Sequence, residues 1–412
     1  MGLEFIANHA RRISCLSAIA LGVSIPVSTA LDNVLMVVTL TAWALSGQVS
    51  EAGNFSFKNK VLLYSISLFG LLTLGTLYGE SPAREALAYL WKYADLLFIP
   101  LFAMVFSEHE TRRKALLAMA VTIAVTVVLS YLIRFGMLPA TPFTTGVASS
   151  PTVFKLKITH SILAAFGAFL FAWLGYTAAN RRLRVIWYAL SLLAALNVLL
   201  LVKGATGYVI LGALIILLGW ERVGSRGMAY AVFGLAVIVP VLAIAPNPFR
   251  ERVSLIRQEI QDWRADKESS EPSSTGLRLE AYKNTLAIIA AVPLTGVGTG
   301  GFPMAYAQQV KNTGKPETHN PHNEFLNIAA QIGIIGLLVL IAMFWMQWRT
   351  AKYLNTPMEQ SLARGLVLTM VAGCMVNSLL LDHTEGLFYA WLSGLLYGGL
   401  KYAQPDNAAS HT

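Results

Sequence analysis

The chain has 412 residues, 55% of them hydrophobic and only 13% charged, with a formal charge of +9. Soluble domains carry about 25% charged residues, so composition argues against a water-soluble enzyme: too few polar side chains remain to cover the apolar runs. The positive excess reads as membrane topology rather than nucleic-acid binding, and Cys15 and Cys374 lie in apolar runs, so no disulfide framework is implied.

Taken in order, the apolar runs predict twelve membrane spans at 13–30, 33–49, 61–79, 86–106, 114–135, 158–178, 184–202, 205–220, 228–245, 323–348, 361–381 and 385–402. Each is close to the roughly 20 residues a helix needs to cross the hydrocarbon core. The expected class is an all-α polytopic membrane protein. Arg11-Arg12, an apolar run and Val27-Ser28-Thr29-Ala30 have the form of a cleavable signal peptide. Pro26, and a second span directly after Asp32-Asn33, favour an uncleaved helical hairpin.

Lysine and arginine alternate between linkers. One set holds Lys58/Lys60, Arg112/Arg113/Lys114, Arg181/Arg182/Arg184, Arg222/Arg226 and Arg349/Lys352; the other short linkers hold only Arg84, Lys155/Lys157 and Lys203. The positive-inside rule then places both termini in the cytoplasm. It also puts the one long polar segment, 246–322, in the periplasm. The chain divides into spans one to nine (1–245), the loop (246–322), and spans ten to twelve with a short tail (323–412).

Outer-side cations lack the usual topological reason to exist. Lys155 and Lys157 are expected to snorkel to lipid headgroups. Lys92 lies about 12 Å along its helix from Arg84. It either pairs with Asp95 on the same face or faces a functional cavity.

Within the loop, residues 247–268 predict an amphipathic helix, with Val253, Ile256, Ile260 and Trp263 on one face. A flexible stretch at 269–276 follows, then a second helix from Leu277 to Ala291. It presents Arg278 and buries Ala281, Thr285, Ile288 and Ile289. Gly296, Gly298 and Gly301 spell G-x-G-x-x-G, but no strand precedes them and Pro303 follows, so the dinucleotide reading fails. They predict a tight turn approached closely by another helix or by a lipid-linked phosphate.

The loop ends in Thr318-His319-Asn320-Pro321-His322-Asn323-Glu324. Asn320 is expected as helix N-cap and Pro321 as first helical residue, which puts His322 in the first turn. There the helix dipole lowers a histidine pKa and attracts an anion. A neutral histidine beside an anion can act as a general base. A plain cap or headgroup contact is the competing reading, and His319, His322 and Glu324 form a weaker metal motif. Asp382-His383 lie on the same side and are candidates to join the site.

Twelve spans, one large late periplasmic loop, and His322-Asn323 followed nine residues later by Gly333-Ile-Ile-Gly336 resemble the bacterial lipopolysaccharide O-antigen ligases. The stretch Arg278…Tyr282…Pro293-Leu-Thr-Gly-Val-Gly-Thr-Gly-Gly-Phe302 resembles the loop block of the wider superfamily, which includes O-antigen polymerases and protein O-oligosaccharyltransferases. The resemblance implies a glycosyltransferase C-like membrane enzyme of the inner membrane. It implies an undecaprenyl diphosphate-linked O-antigen as donor, lipid A core oligosaccharide as acceptor, inversion at the sugar, and no cofactor, metal or nucleotide at the step. By the same resemblance, His322 activates the acceptor hydroxyl and Arg278 holds the diphosphate; His319, Asn323, Lys92 and Asp382 are supporting candidates by their position on this side of the membrane. The family often has an arginine in a Ser-Arg-Gly-like stretch after span seven. Here the chain reads Lys203-Gly-Ala-Thr206, which leaves Lys203 and Arg84 as candidates for the second phosphate contact. A polymerase or a protein-acceptor enzyme of the same fold is the nearest alternative, and a transporter a more distant one.

Overall fold

The computed structural model describes residues 2–48, 59–139, 146–265 and 273–400. Lys58, the stretch 269–272, the last residues predicted for spans two and twelve, and the C-terminal tail lie outside them. The described residues form helices α1 (Gly2–Ser24), α2 (Thr29–Leu45), α3 (Lys60–Gly75), α4 (Ala83–Trp91), α5 (Asp95–Val105) and α6 (His109–Arg134). They continue with α7 (Lys157–Thr177), α8 (Arg181–Leu196), α9 (Ala205–Val223) and α10 (Ser225–Ile244). The loop holds α11 (Pro248–Arg264), α12 (Ser274–Ala291) and α13 (Phe302–Val310), and the chain closes with α14 (Glu324–Thr350), α15 (Pro357–Cys374) and α16 (His383–Tyr397).

Among the described residues, seven helical stretches are long and apolar enough to span a membrane: Ala83–Val105, His109–Arg134, Lys157–Thr177, Arg181–Leu201, Ala205–Val223, Ser225–Ile244 and Glu324–Tyr353. Thr29–Leu45 and Lys60–Gly75 are shorter apolar helices. Helices also stand where the first and last two spans were expected. The protein is therefore an all-helical polytopic membrane protein.

In lipid the hydrophobic effect does not draw helices together, so small residues that allow close approach decide the packing. α16 is the central post: Thr384 through Tyr397 are all buried, and it packs along α5. Gly394 makes this possible, because a Cβ there would lie 2.2 Å from Phe102 Cβ. The Trp391 indole donates to Ala18 O at 2.7 Å, tying α16 to α1. α10 is the opposite case. It buries only Gly227, where its backbone presses against Gly219 of α9. At the end assigned to the cytoplasm, Arg112 pairs with Glu359 at 3.2 Å and donates to Phe106 O and Ser107 O. Glu359 also closes a capping box with Thr356 on α15.

Two expectations are corrected. The predicted fourth span is broken at Lys92–Ala94, between α4 and α5. The break leaves Lys92 exposed with its ammonium 5.3 Å from the Tyr89 ring. Asp95 is buried toward Gly386 of α16, so the two side chains do not pair. Lys155 does not snorkel. It turns inward, 7% exposed, to Asp32 at 3.7 Å and to the hydroxyls of Thr29 and Thr384 at 2.8 and 3.1 Å. Lys157 is exposed. Burial without a carboxylate would be too costly for an ammonium, and Asp32 supplies one.

The G-x-x-G stretch meets the glycine turn of the loop. α14 is kinked at Ile332 and Gly333, and Gly333 has φ +67°. The kink frees carbonyls that the glycine turn of the loop takes up: Val297 N donates to Ala330 O at 2.8 Å and Gly298 N to Gln331 O at 2.9 Å. In return Ile334 N donates to Pro293 O. Thr299 docks the same turn on α3, through its amide to Gly75 O and its hydroxyl to Leu72 O. Gly296, Gly298 and Gly300 all have positive φ, and a Cβ on Gly298 would meet Gly79 Cα at 2.3 Å. The turn's glycines thus serve helix contact, the first of the two readings left open. A broken helix at membrane depth is tolerable because its backbone groups are satisfied by this insert.

Candidate functional site

α12 stands on α14 and α11. Its buried stripe is Ala281, Thr285 and Ile288, which joins Phe302, Tyr306, Val310 and Ala330 in a small apolar core separate from the main bundle. The helix starts at Ser274 with Ser273 as N-cap, one turn earlier than the sequence suggested. α11 is amphipathic as expected. Its Val253, Ile256, Ile260 and Trp263 are half-buried against neighbouring helices, and Trp263 donates to Glu280 on α12 at 3.1 Å.

This scaffold brings Arg278 and His322 together across the tip of the bundle. Arg278 is half-buried, and its Nη2 donates to Asn377 Oδ1 at 3.1 Å. Asn377 is itself buried and donates to Thr206 Oγ1, in the first turn of α9, at 2.7 Å. Tyr282, one turn beyond Arg278, donates to His322 O at 3.2 Å and to Met375 O at 3.3 Å. Burial lowers the Arg278 pKa, and Arg252 nearby acts in the same direction.

His322 is not in the first turn of α14. Asn323 is the N-cap, accepting from Leu326 N at 3.0 Å, and the helix begins at Glu324. Asn320 instead accepts from His322 N at 2.8 Å, a short turn that leaves His322 in the left-handed region at φ +55°. That conformation costs a non-glycine residue about 1–2 kcal/mol, and such strain concentrates at functional positions. Glu324 decides the register: its fully buried carboxylate accepts from Tyr93 OH at 2.8 Å and Leu380 N at 3.0 Å. The imidazole pKa is indeed below the ordinary value, but the causes are burial first and the Arg278 guanidinium second.

The other sequence candidates separate. Asn323 is in the site, donating to Met375 O at 2.9 Å. His319 is exposed, and its carbonyl accepts from Tyr89 OH at 3.5 Å. With Glu324 committed inward, no group of three or more His, Cys, Asp or Glu side chains forms a metal site among the described residues. Lys92 faces exposed Asp382 closely enough to favour its carboxylate. His383 turns instead toward Asp32 and Lys155. Arg84 is exposed at the start of α4, whose Glu85 and Ala86 backbone packs on Gly300. Lys203 Nζ is held by Glu251 at 2.6 Å.

Sequence reasoning missed two residues. Arg252 is largely buried and lies near Arg278, held 3.9 Å from Glu259. The same Glu259 oxygen receives the amide and hydroxyl of Thr275 at the foot of α12. In the sequence Arg252 was one charge among many on an amphipathic helix. Asn377 sat near the predicted end of an apolar span, with no motif to mark it.

Arg278 and His322 thus stand together on a helical membrane scaffold. Residues 190–341, a segment that holds both Arg278 and His322, match the family model described as O-antigen ligase. The match supports a membrane protein that carries an O-antigen ligase-type domain. No curated protein matches the chain significantly. A solved chain from "Structural coordination of polymerization and crosslinking by a peptidoglycan synthase complex" aligns at TM-score 0.47 and 18% identity, covering 82% of this chain and 96% of that chain. That likeness is too low to carry an argument.

Proposed function

We propose that this protein is an inner-membrane O-antigen ligase. It moves a glycan from an undecaprenyl diphosphate carrier to a sugar hydroxyl of lipid A core oligosaccharide, on the periplasmic face. The observation that carries this reading is a half-buried guanidinium with a neutral amide partner, Asn377, set beside a histidine held neutral by burial and by that guanidinium. A buried cation normally has a counter-charge, and here a diphosphate would supply it.

In the proposed step His322 accepts the proton of the acceptor hydroxyl. The oxygen attacks the anomeric carbon of the donor sugar from the face opposite the phosphate, and the bond to the diphosphate oxygen breaks with its electron pair leaving on phosphate. Arg278 meets the growing charge through two parallel hydrogen bonds, an interaction stronger in the transition state than in the ground state. Arg252 is better placed than Lys203 or Arg84 to be the second cation. Its position beside Arg278 supports this, whereas Lys203 is engaged by Glu251.

The test is reconstitution of the full chain with lipid-linked glycan, with and without rough lipopolysaccharide. Product that requires the acceptor supports the ligase. Glycan lengthening without it favours the polymerase reading, and transfer to neither removes the glycosyltransferase assignment. Activity that persists in a chelator supports a metal-free step; loss restored by a divalent ion would revive a metal at His319 and His322.

A further inference from the structure

The connection between α15 and α16 lies outside the matched family segment and outside the long loop, yet it touches every part of the site. Met375 O receives Tyr282 and Asn323, Ser378 Oγ donates to Asn320 Oδ1 at 2.7 Å, and Leu380 N binds Glu324. Asn377 is the member that reaches Arg278. Its amide is fixed at both ends: the nitrogen donates to Thr206, so the oxygen must face the guanidinium. An aspartate would fit the same space and satisfy Arg278 more strongly. The neutral isostere adds no counter-charge of its own.

We infer that Asn377 is a positioning residue that orients Arg278 without placing a charge on it, so that the guanidinium can receive the anionic leaving group. The inference rests on the proposed roles of Arg278 and His322. The charged and titratable groups around the pair are Arg252 and Glu259 from α11 and Tyr282 from α12; the 375–380 connection adds no charged side chain.

The pH dependence of carbethoxylation of His322, followed by peptide mass spectrometry in the intact protein in detergent, reads the imidazole without needing activity. Asn377→Asp places a carboxylate on the guanidinium and is expected to move the His322 midpoint upward. Asn377→Ala leaves the charge and is expected to keep the midpoint while raising the donor KM about tenfold, the loss typical of one hydrogen bond to a charged group. Thr206→Val, which frees the amide without touching Arg278, is expected to raise the donor KM in the same direction and serves if the Asn377 variants do not fold. A His322 midpoint unmoved in folded Asn377→Asp overturns the inference, as does an unchanged donor KM in both Asn377→Ala and Thr206→Val. Retained transfer by His322→Ala would instead sink the functional reading beneath it, so the two failures are distinguishable.

Discussion

Two polar centres sit in the same end of this protein, and they treat a cation in opposite ways. Lys155 is buried against Asp32 and two threonine hydroxyls. Arg278 is buried less completely and rests on the neutral amide of Asn377. The first centre pairs its cation with a buried carboxylate. In the second, the direct partner is a neutral amide, and the proposed anion would complete it. The lesson is that burial of a charge does not by itself mark function.

The sharpest way to break the comparison is at the base. His322→Ala is expected to lower glycan transfer in proteoliposomes by about 10²–10⁴, the range of general-base contributions, with insertion unchanged. In the intact enzyme the acid limb of kcat/KM should lie below the ordinary histidine value, because burial and Arg278 favour the neutral imidazole and activity is lost as pH falls through that pKa. A limb at or above the ordinary value would remove the link between the two residues.

Next is the Lys155 centre. Lys155→Met strands a buried carboxylate, and breaking such a pair costs about 3–5 kcal/mol. Thermal unfolding in detergent should show the loss, Asp32→Asn combined with Lys155→Met should recover much of it, and the donor KM of the folded protein should not change. A raised donor KM would place Lys155 in the site after all. Arg278→Lys keeps the charge and loses the planar fork; a decrease of about 10²-fold in kcat is expected, comparable to removing one preorganised donor, and full activity would argue against bidentate contact. Arg252→Ala should raise the donor KM about tenfold in the protein that folds, the scale of a hydrogen bond to a charged group, and should also lower stability because it leaves buried Glu259 without its ion-pair partner. The smallest effect is expected at Lys203→Ala. Its pair with Glu251 is partly exposed, and such pairs contribute about 0–1 kcal/mol; a large drop in transfer would return Lys203 to the phosphate site.

The sequence was least informative where one residue type has two uses. Lys155 and Lys157 read alike, and only the inward turn of residues 151–155 separates them. Asn320 and Asn323 are both good caps. The choice fell to Asn323 because Glu324 is anchored by Tyr93 and Leu380, partners 231 and 56 residues away. Lys92 and Asp95 share a face on an unbroken helix, and the break between α4 and α5 removes that relation.

What the sequence determined by itself is the set of helices, their apolar lengths, the amphipathic α11, and the pairing of chemistry in Arg278 and His322. Hydrophobic periodicity and helix-terminal residues are local properties, readable within a few turns. Only the tertiary structure decided which helices break, why Gly333 must be glycine, and that Arg252 and Asn377 stand beside the guanidinium with Thr206 fixing the Asn377 amide. Those relations join positions up to 171 residues apart. They are set by which carbonyls and charges are left unsatisfied when the helices pack, a quantity that no single stretch of the chain contains.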